Sequence, residues 1–164
     1  MFTSTYEGGI DAKGRISIPA PFRAELGGKP RLFVWPAIDG GGYLEAGGEA
    51  FMTYYARILA RMSPQDPHRR ALTHALFTKS ADLKLDEPGR VKLPETLMTA
   101  AGLTSKVKFA GALDRFQIWD PERFGAHDAE MSAHAVDSQS ALAEPFKEAL
   151  VADPLNAFLG GEGG

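Results

Sequence analysis

Residues 11–19 read Asp-Ala-Lys-Gly-Arg-Ile-Ser-Ile-Pro, and the first half of this stretch predicts a tight turn. Asp11 can accept hydrogen bonds from the backbone N–H groups that follow it. Gly14 permits a positive φ without steric cost. Lys13 and Arg15 flank that glycine, so we expect two cationic side chains near the tip of a loop.

The second half of the stretch predicts a short strand that leads into a helix. Polar and apolar side chains alternate from Arg15 to Ile18, which is typical of a strand with one buried face. Pro19 has no N–H for a sheet and suits the first turn of a helix. A short helix is therefore expected over residues 20–26, before Gly27.

The same unit occurs again at residues 86–94, which read Asp-Glu-Pro-Gly-Arg-Val-Lys-Leu-Pro. Aspartate, glycine, arginine, two apolar residues and proline recur at the same spacing. We therefore expect Asp86 and Gly89 to form a second loop, with Arg90 in the position of Arg15. An internal repeat of this kind indicates two related half-units.

The composition is that of a globular protein. The chain has 164 residues, of which 44% are hydrophobic, enough for one compact domain or for two small halves that share a core. It contains no cysteine, which excludes disulfides and thiolate metal sites. The first residues lack the features of a signal peptide, and no apolar run is long enough to cross a bilayer. We expect a cytoplasmic protein with no membrane partner.

The charge is distributed unevenly along the chain. The formal net charge is −3, but residues 1–119 contain sixteen Lys or Arg against twelve Asp or Glu, a balance of +4. Residues 120–164 contain two cations against nine acids, a balance of −7. The larger part of the chain is therefore mildly basic, which permits a nucleic-acid partner without demonstrating one.

The chain as a whole predicts two β-rich halves with helices between and after them. The expected domains are a first half-unit over residues 1–80, a second over residues 81–150, and a flexible tail over residues 151–164. Expected strands cover residues 3–10, 31–35, 43–46, 81–85, 107–110 and 116–119. Expected helices beyond the repeated units cover residues 49–61, 67–77 and 121–131, with one loose helix over residues 134–150.

These features together resemble the MraZ family of bacterial regulators, which are encoded at the start of the division and cell-wall gene cluster. The resemblance covers nearly the whole chain. It is carried by the opening Met1-Phe2, the two turns, the region of Pro67, Arg69 and Arg70, Ala100-Ala101-Gly102-Leu103, and Phe116-Gln117-Ile118-Trp119.

The resemblance implies an α+β fold of the AbrB or SpoVT type, in which two tandem swapped-hairpin half-units form a pseudo-two-fold β-barrel with helices after each half. It also implies sequence-specific, nucleoid-associated transcription factors that assemble into rings and bind short direct repeats in their own promoter. The implied DNA-contacting residues are Lys13, Arg15 and Arg90. Pro88 stands where the first copy has Lys13, so we expect the second loop to be stiffer and less basic.

The residue types alone leave a structural interpretation of the loops open. Arginine suits phosphate oxygens or the O6 and N7 edge of guanine, and lysine suits a phosphate. Asp11 and Asp86 could equally pair with the arginines that follow them and do no more than cap a turn. Lys92 either assists Arg90 or is an exposed charge at a strand edge.

Other conspicuous side chains favour ordinary structural roles. We expect the arginines at positions 23, 69 and 70 to lie on solvated helix faces or in ion pairs rather than on DNA. The aromatic side chains Trp35, Tyr54, Tyr55 and Trp119 are expected in the core or at a subunit interface.

An enzyme is the contrasting function, and the sequence offers it little support. The chain has no cysteine nucleophile, no glycine-rich phosphate loop of recognised spacing and no His-Glu-x-x-His motif. No catalytic residue, metal site or cofactor is therefore predicted. A second alternative is an AbrB-type, antitoxin-like module that binds a toxin protein as well as DNA. The duplicated body disfavours it, whereas the acidic segment after Asp120 keeps it open.

Overall fold

The computed structural model of the protein describes residues 1–152, which belong to two compact units. The first unit comprises residues 1–124 and contains both turn–strand–helix repeats. The second begins at Gly125, and its described part is helical. The predicted tail at residues 151–164 lies outside the described residues, except for two that end the last helix. No helix within residues 1–152 combines the length and the apolar character that crossing a bilayer requires.

The first half of the chain alternates strands with short helices. Its elements are β1 (Thr5–Gly9), β2 (Arg15–Ser17), α1 (Ala20–Glu25), β3 (Arg31–Pro36), β4 (Leu44–Gly47), α2 (Glu49–Ala60), α3 (Pro67–Thr73) and a π-helical turn (His74–Thr78). The Asp66 side chain caps α3 by accepting a hydrogen bond from the His68 N–H. A single α-helix was predicted over residues 67–77, but the α-helix ends at Thr73. The next turn is π-helical, because the Lys79 N–H bonds to the His74 carbonyl, five residues back.

The second half repeats this order and then continues as helices. Its elements are β5 (Ala81–Lys84), β6 (Arg90–Lys92), α4 (Glu95–Ala100), β7 (Lys106–Ala112), β8 (Arg115–Trp119), α5 (Pro121–Asp137), a 3₁₀ turn (Gln139–Leu142) and α6 (Ala143–Ala152). The expectation of one helix over residues 134–150 is wrong. The chain leaves the α-helix at Ser138, a residue type whose side chain competes for backbone hydrogen bonds and weakens a helix.

Strands from the two halves interleave in one antiparallel sheet. The strand order is β1-β7-β8-β4-β3-β5, so each edge strand pairs with a strand of the other half. Thr5 of β1 lies opposite Ala110 of β7, and Arg31 of β3 lies opposite Lys84 of β5. β4 and β8 join the halves in the middle of the sheet. If each strand is replaced by its counterpart in the other half (β1 by β5, β3 by β7 and β4 by β8), the same order results, read from the opposite edge of the sheet.

β2 and β6 pair with each other in a separate two-stranded antiparallel sheet, which we call the ribbon. Its register places Ile16 opposite Val91. The antiparallel sheets and the helices establish a mixed α+β fold. Within residues 1–152 the six-stranded sheet is open, with β1 and β5 at its edges, so closure of a β-barrel remains a prediction.

Two apolar clusters lie on opposite faces of the six-stranded sheet. Leu32 and Val34 of β3 join the larger cluster, which also contains Ile16 and Val91 of the ribbon. The alternate residue Trp35 joins a second cluster, which contains side chains of α2. Because successive side chains of a strand point to opposite faces, the ribbon and α2 lie on opposite sides of the sheet.

Candidate nucleic-acid interface

The first turn is closed by the carboxylate of Asp11. Its Oδ1 accepts hydrogen bonds from the N–H groups of Lys13 and Arg15, each at 2.9 Å. Its Oδ2 accepts one from Nε of Arg15 at 2.6 Å. The Gly14 N–H bonds to the Asp11 carbonyl at 3.0 Å. One side chain therefore shapes the turn and also holds the guanidinium of Arg15.

The second turn repeats this pattern with one bond fewer. Oδ1 of Asp86 accepts from the Arg90 N–H at 2.7 Å, and its Oδ2 accepts from Nε of Arg90 at 2.8 Å. Pro88 occupies the position of Lys13 and has no N–H to donate. Pro88 therefore removes one cation and one hydrogen bond from the second turn, and the greater stiffness of that turn stays a prediction.

Each turn glycine is held by the other half of the chain. Gly14 and Gly89 have φ values of +76° and +87°, in the left-handed region. The Gly14 carbonyl accepts from the Leu93 N–H at 3.0 Å, and the Gly89 carbonyl accepts from the Ile18 N–H at 2.9 Å. A Cβ on Gly89 would overlap the side chain of Arg23. The two loops are therefore built as one unit from both halves.

The surroundings of both aspartates favour the charged carboxylate. The N–H of Arg15 is the main cause that holds the pKa of Asp11 below its ordinary value of 3.8, with desolvation opposing it. Desolvation is the largest influence on Asp86 and raises its pKa, but the N–H and guanidinium of Arg90 outweigh it. The charge of Arg15 lowers the pKa of Asp86 further, so both arginines belong to one patch.

The ribbon directs its polar side chains away from the core. Ile16 and Val91 are buried, and the residues that alternate with them lie on the opposite, outer face. Arg15 pairs with Lys92 across the ribbon, and Ser17 pairs with Arg90. This outer face forms the candidate interface; its members are Arg15, Ser17, Arg90 and Lys92.

The aspartates orient the two arginines of this face but leave some of their hydrogen-bond donors free. Their side chains are 28% and 35% exposed for Arg15 and Arg90. Each aspartate engages Nε, and neither arginine has a hydrogen bond from an Nη group to any residue in the range 1–152. The remaining donors can engage a phosphate or a guanine edge in a two-point contact.

The structure places the predicted contact residues together and adds Ser17 to them. Lys13 is exposed at the first turn, beside Arg15, and Arg90 lies on the same ribbon. Sequence reasoning gave Ser17 no role and left Lys92 either assisting Arg90 or as an exposed edge charge, whereas the register places Lys92 opposite Arg15. The missing information was the cross-strand register, because the alternation within each strand already indicated an outward position for both residues.

The arginines at positions 23 and 69 bond to backbone carbonyls. Nη1 of Arg23 donates to the Ile18 carbonyl at 2.7 Å, and Nη1 of Arg69 donates to the Met62 carbonyl at 2.9 Å. Both bonds fix local structure. Residues 1–152 contain no group of three or more histidine and acidic side chains placed to hold a metal ion.

A family model described as "MraZ protein, putative antitoxin-like" matches residues 1–39 and 76–144. Both turns and both strands of the ribbon lie within the matched ranges. Helices α2 and α3 lie outside them.

Curated proteins named "Transcriptional regulator MraZ" are similar to the chain. The protein of Hyphomonas neptunium is 56% identical over 131 residues, which cover 80% of this chain and 79% of that protein. The protein of Methylocella silvestris is 44% identical over 128 residues, with 77% of each chain covered. The protein of Caulobacter vibrioides is 39% identical over 143 residues, with 87% and 91% covered.

Proposed function

Because this chain belongs to the MraZ family, we propose that it is a sequence-specific DNA-binding transcriptional regulator. Its target is the promoter of its own division and cell-wall gene cluster, which it binds through repeated short sites. The name of its relatives supports the regulatory role. In this proposal the protein acts in the cytoplasm, at the nucleoid, and has no enzymatic activity.

The observation that carries this proposal is the outer face of the ribbon. A two-stranded ribbon fits the major groove of B-DNA, where base edges can be distinguished. On the outer face of the ribbon, Arg15 and Arg90 have free Nη donors, which can form hydrogen bonds with O6 and N7 of guanine. Lys13 lies beside this face and suits a phosphate, which positions the protein without specifying a base.

The proposal is compatible with a negative net charge. Binding depends on the local field, and the acidic residues are concentrated after residue 119. One ribbon supplies few phosphate contacts, so a single protomer should bind modestly, and the dependence on salt should steepen as further protomers add contacts. A ring of protomers on repeated sites would raise the affinity through effective concentration.

The finer architecture forms part of the same proposal. We propose two swapped-hairpin half-units, residues 1–80 and 81–150, related by a pseudo-two-fold axis and together forming the barrel of AbrB-type proteins. The support for it is the palindromic strand order and the pairing of each edge strand with the other half.

A titration with the DNA upstream of the protein's own gene tests the function. Fluorescence anisotropy at about 50 mM and about 200 mM salt should show specific binding that weakens steeply at the higher concentration. The double variant Arg15→Ala, Arg90→Ala should lose specific binding. Arg57→Ala is the matched control, because Arg57 lies exposed on α2, across the sheet from the ribbon. Equal binding by the wild type and the double variant would overturn the assignment of the ribbon.

An antitoxin-like protein-binding module is the second candidate, favoured by the description of the matching family. It predicts that the wild-type chain captures a protein partner from its own cell extract in addition to binding DNA. Capture of such a partner, and not the anisotropy titration, therefore separates the two functions.

A further inference from the structure

The repeat makes the two turns equivalent in backbone but not in charge. Lys13 of the first copy corresponds to Pro88 of the second, and Ser17 corresponds to Lys92. Each copy thus has one lysine beside its arginine, before the arginine in the first copy and after it in the second. Because the strands are antiparallel, the position of the lysine decides which arginine it accompanies.

The register brings both lysines to the side of Arg15. Lys92 lies directly opposite Arg15, whereas Arg90 lies opposite the neutral Ser17. Lys13 and Lys92 also line one surface groove of about 670 Å³. We call Lys13, Arg15 and Lys92 the triple-cation side of the ribbon, and Ser17 with Arg90 the single-cation side.

The lysines of the triple-cation side are not neutralised by an ion pair in the part of the chain that the structure describes. Neither Lys13 nor Lys92 forms an ion pair within the described residues, although Glu95 lines the same groove. The carboxylate of Asp11 is already engaged by Arg15. Two uncompensated lysines beside an arginine are suited to an external polyanion.

Their arrangement is costly for the fold alone. Like charges directly opposite each other in an antiparallel pair destabilise it. A phosphate backbone on this face would turn the repulsion between Arg15 and Lys92 into a shared attraction.

We propose that Lys92 contacts a DNA phosphate together with Lys13, so that the triple-cation side supplies most of the binding affinity of the ribbon. This deepens the proposed function and rests on it. The single-cation side then contributes mainly base recognition through Arg90. Because Lys92 is paired with Arg15, the triple-cation side of each ribbon binds DNA more strongly than the single-cation side.

The variant Lys92→Ala tests the contact. Its affinity for the upstream duplex should fall about tenfold for each protomer that binds, the effect of one charge-assisted contact. The slope of log affinity against log salt should decrease by about 0.9 per bound protomer, as expected for one phosphate. Because the variant also relieves the repulsion with Arg15, its melting temperature should equal or exceed that of the wild type. Lys92→Arg should restore binding.

The same measurements can overturn the proposal. Wild-type affinity and salt slope in Lys92→Ala would exclude the contact, and Arg57→Ala controls for the loss of one positive charge far from the ribbon. A lower melting temperature with unchanged binding would indicate a structural role. A wild type that fails to prefer the upstream duplex would refute the proposed function instead, so the two failures are distinguishable.

A gain of charge tests the inequality of the two sides. Ser17 is exposed and lies opposite Arg90, so Ser17→Lys recreates on the weak side the pair that Lys92 forms on the strong side. It should raise affinity and increase the salt slope by about 0.9 per bound protomer. Arg15→Ala should also lower affinity more than Arg90→Ala. Equal losses in these two variants, or no gain from Ser17→Lys, would contradict unequal sides.

Discussion

At Gly89, two separate constraints act on one residue. The backbone has φ = +87°, and the side chain of Arg23 fills the space that a Cβ would need. Gly40 has a similar φ of +76° but no atom within 4 Å of an added Cβ. The two glycines therefore allow the cost of backbone strain to be separated from the cost of steric overlap.

We expect Gly89→Ala to destabilise the protein more than Gly40→Ala. The control should cost about 1–2 kcal/mol, the penalty for a left-handed residue with a Cβ. Gly89→Ala should add the displacement of Arg23 and of its bond to the Ile18 carbonyl. Urea unfolding at neutral pH measures the free energy of unfolding of both variants. Equal losses of stability would show that the Arg23 side chain moves aside at no energetic cost.

The carboxylates of the turns make stability depend on pH at the acidic end. The folded-state pKa values of Asp11 and Asp86 lie below the ordinary value of 3.8. Each carboxylate thus contributes stability that is fully present above 3.8 and is lost as the pH falls through the lower folded-state value.

Asp11→Asn should therefore have a lower free energy of unfolding than the wild type at pH 7. The difference between the two free energies should become smaller as the pH falls below 3.8. The amide oxygen can still accept the backbone N–H bonds, so the variant loses only the charge and the bond that Oδ2 accepts from Nε of Arg15. Urea unfolding at both pH values provides the measurement, with Asp128→Asn on the exposed side of α5 as control. A difference that grows on acidification would contradict the direction of the pKa shift.

These local features explain what a sequence can predict about the candidate site. The hydrogen bonds that the aspartate of each turn accepts come from residues no more than four positions away, and a positive φ favours glycine whatever the surrounding fold. The contact between Arg23 and Gly89 joins residues of different halves. No local sequence pattern indicates this contact between Arg23 and Gly89. Sequence reasoning therefore predicted a solvated helix face or an ion pair for Arg23.

At the scale of elements, β8 is tied to α2 by a polar contact between the halves. Arg115 of β8 donates from Nη1 to both carboxylate oxygens of Glu45, at 3.3 and 3.4 Å. Trp35 donates its ring N–H to the same carboxylate at 3.0 Å. The guanidinium also lies 4.9 Å from the ring centre of Phe51 and bonds to the Tyr55 hydroxyl.

Arg115→Ala should destabilise the protein by about 2 kcal/mol, because it leaves the buried carboxylate of Glu45 without its cation. The variant Arg115→Met, Glu45→Gln should recover part of this loss, since the amide of Gln can still accept the Trp35 bond. Urea unfolding of Arg115→Met, Glu45→Gln and the double variant gives the coupling energy between the two side chains. Additive losses would show that Arg115 stabilises the protein through its contacts with Phe51 and Tyr55 rather than through Glu45.

The elements also show where prediction from sequence stops. Strand positions and the repeat follow from alternation, turn residues and proline, all of which are local signals. The pairing of β2 with β6 and of β4 with β8 is not local, and the two hairpins differ in length, from Pro36 to Leu44 and from Ala112 to Arg115. A register of one residue decides whether Lys92 accompanies Arg15 or Arg90.

At the scale of the whole molecule, the small size of the ribbon limits what one protomer can do. Its strands have three residues each, and only a few cations lie on or beside its outer face. Such a surface supplies fewer phosphate contacts than the six to ten that give tight binding, so we expect repeated sites and an oligomer to compensate. Linked binding events can exceed a single event by about 10²–10⁴ in affinity.

We therefore expect the loss of one repeat from the upstream duplex to weaken binding at least about 100-fold, far beyond halving the number of sites. Inserting about five base pairs between repeats should weaken it similarly, because the second site turns to the opposite face of the helix, whereas about ten base pairs should restore much of it. Anisotropy titrations measure the affinities, and light scattering of the free protein measures its mass. A monomer that binds one and several repeats with equal affinity per site would rule out oligomeric avidity and leave the ribbon to act alone.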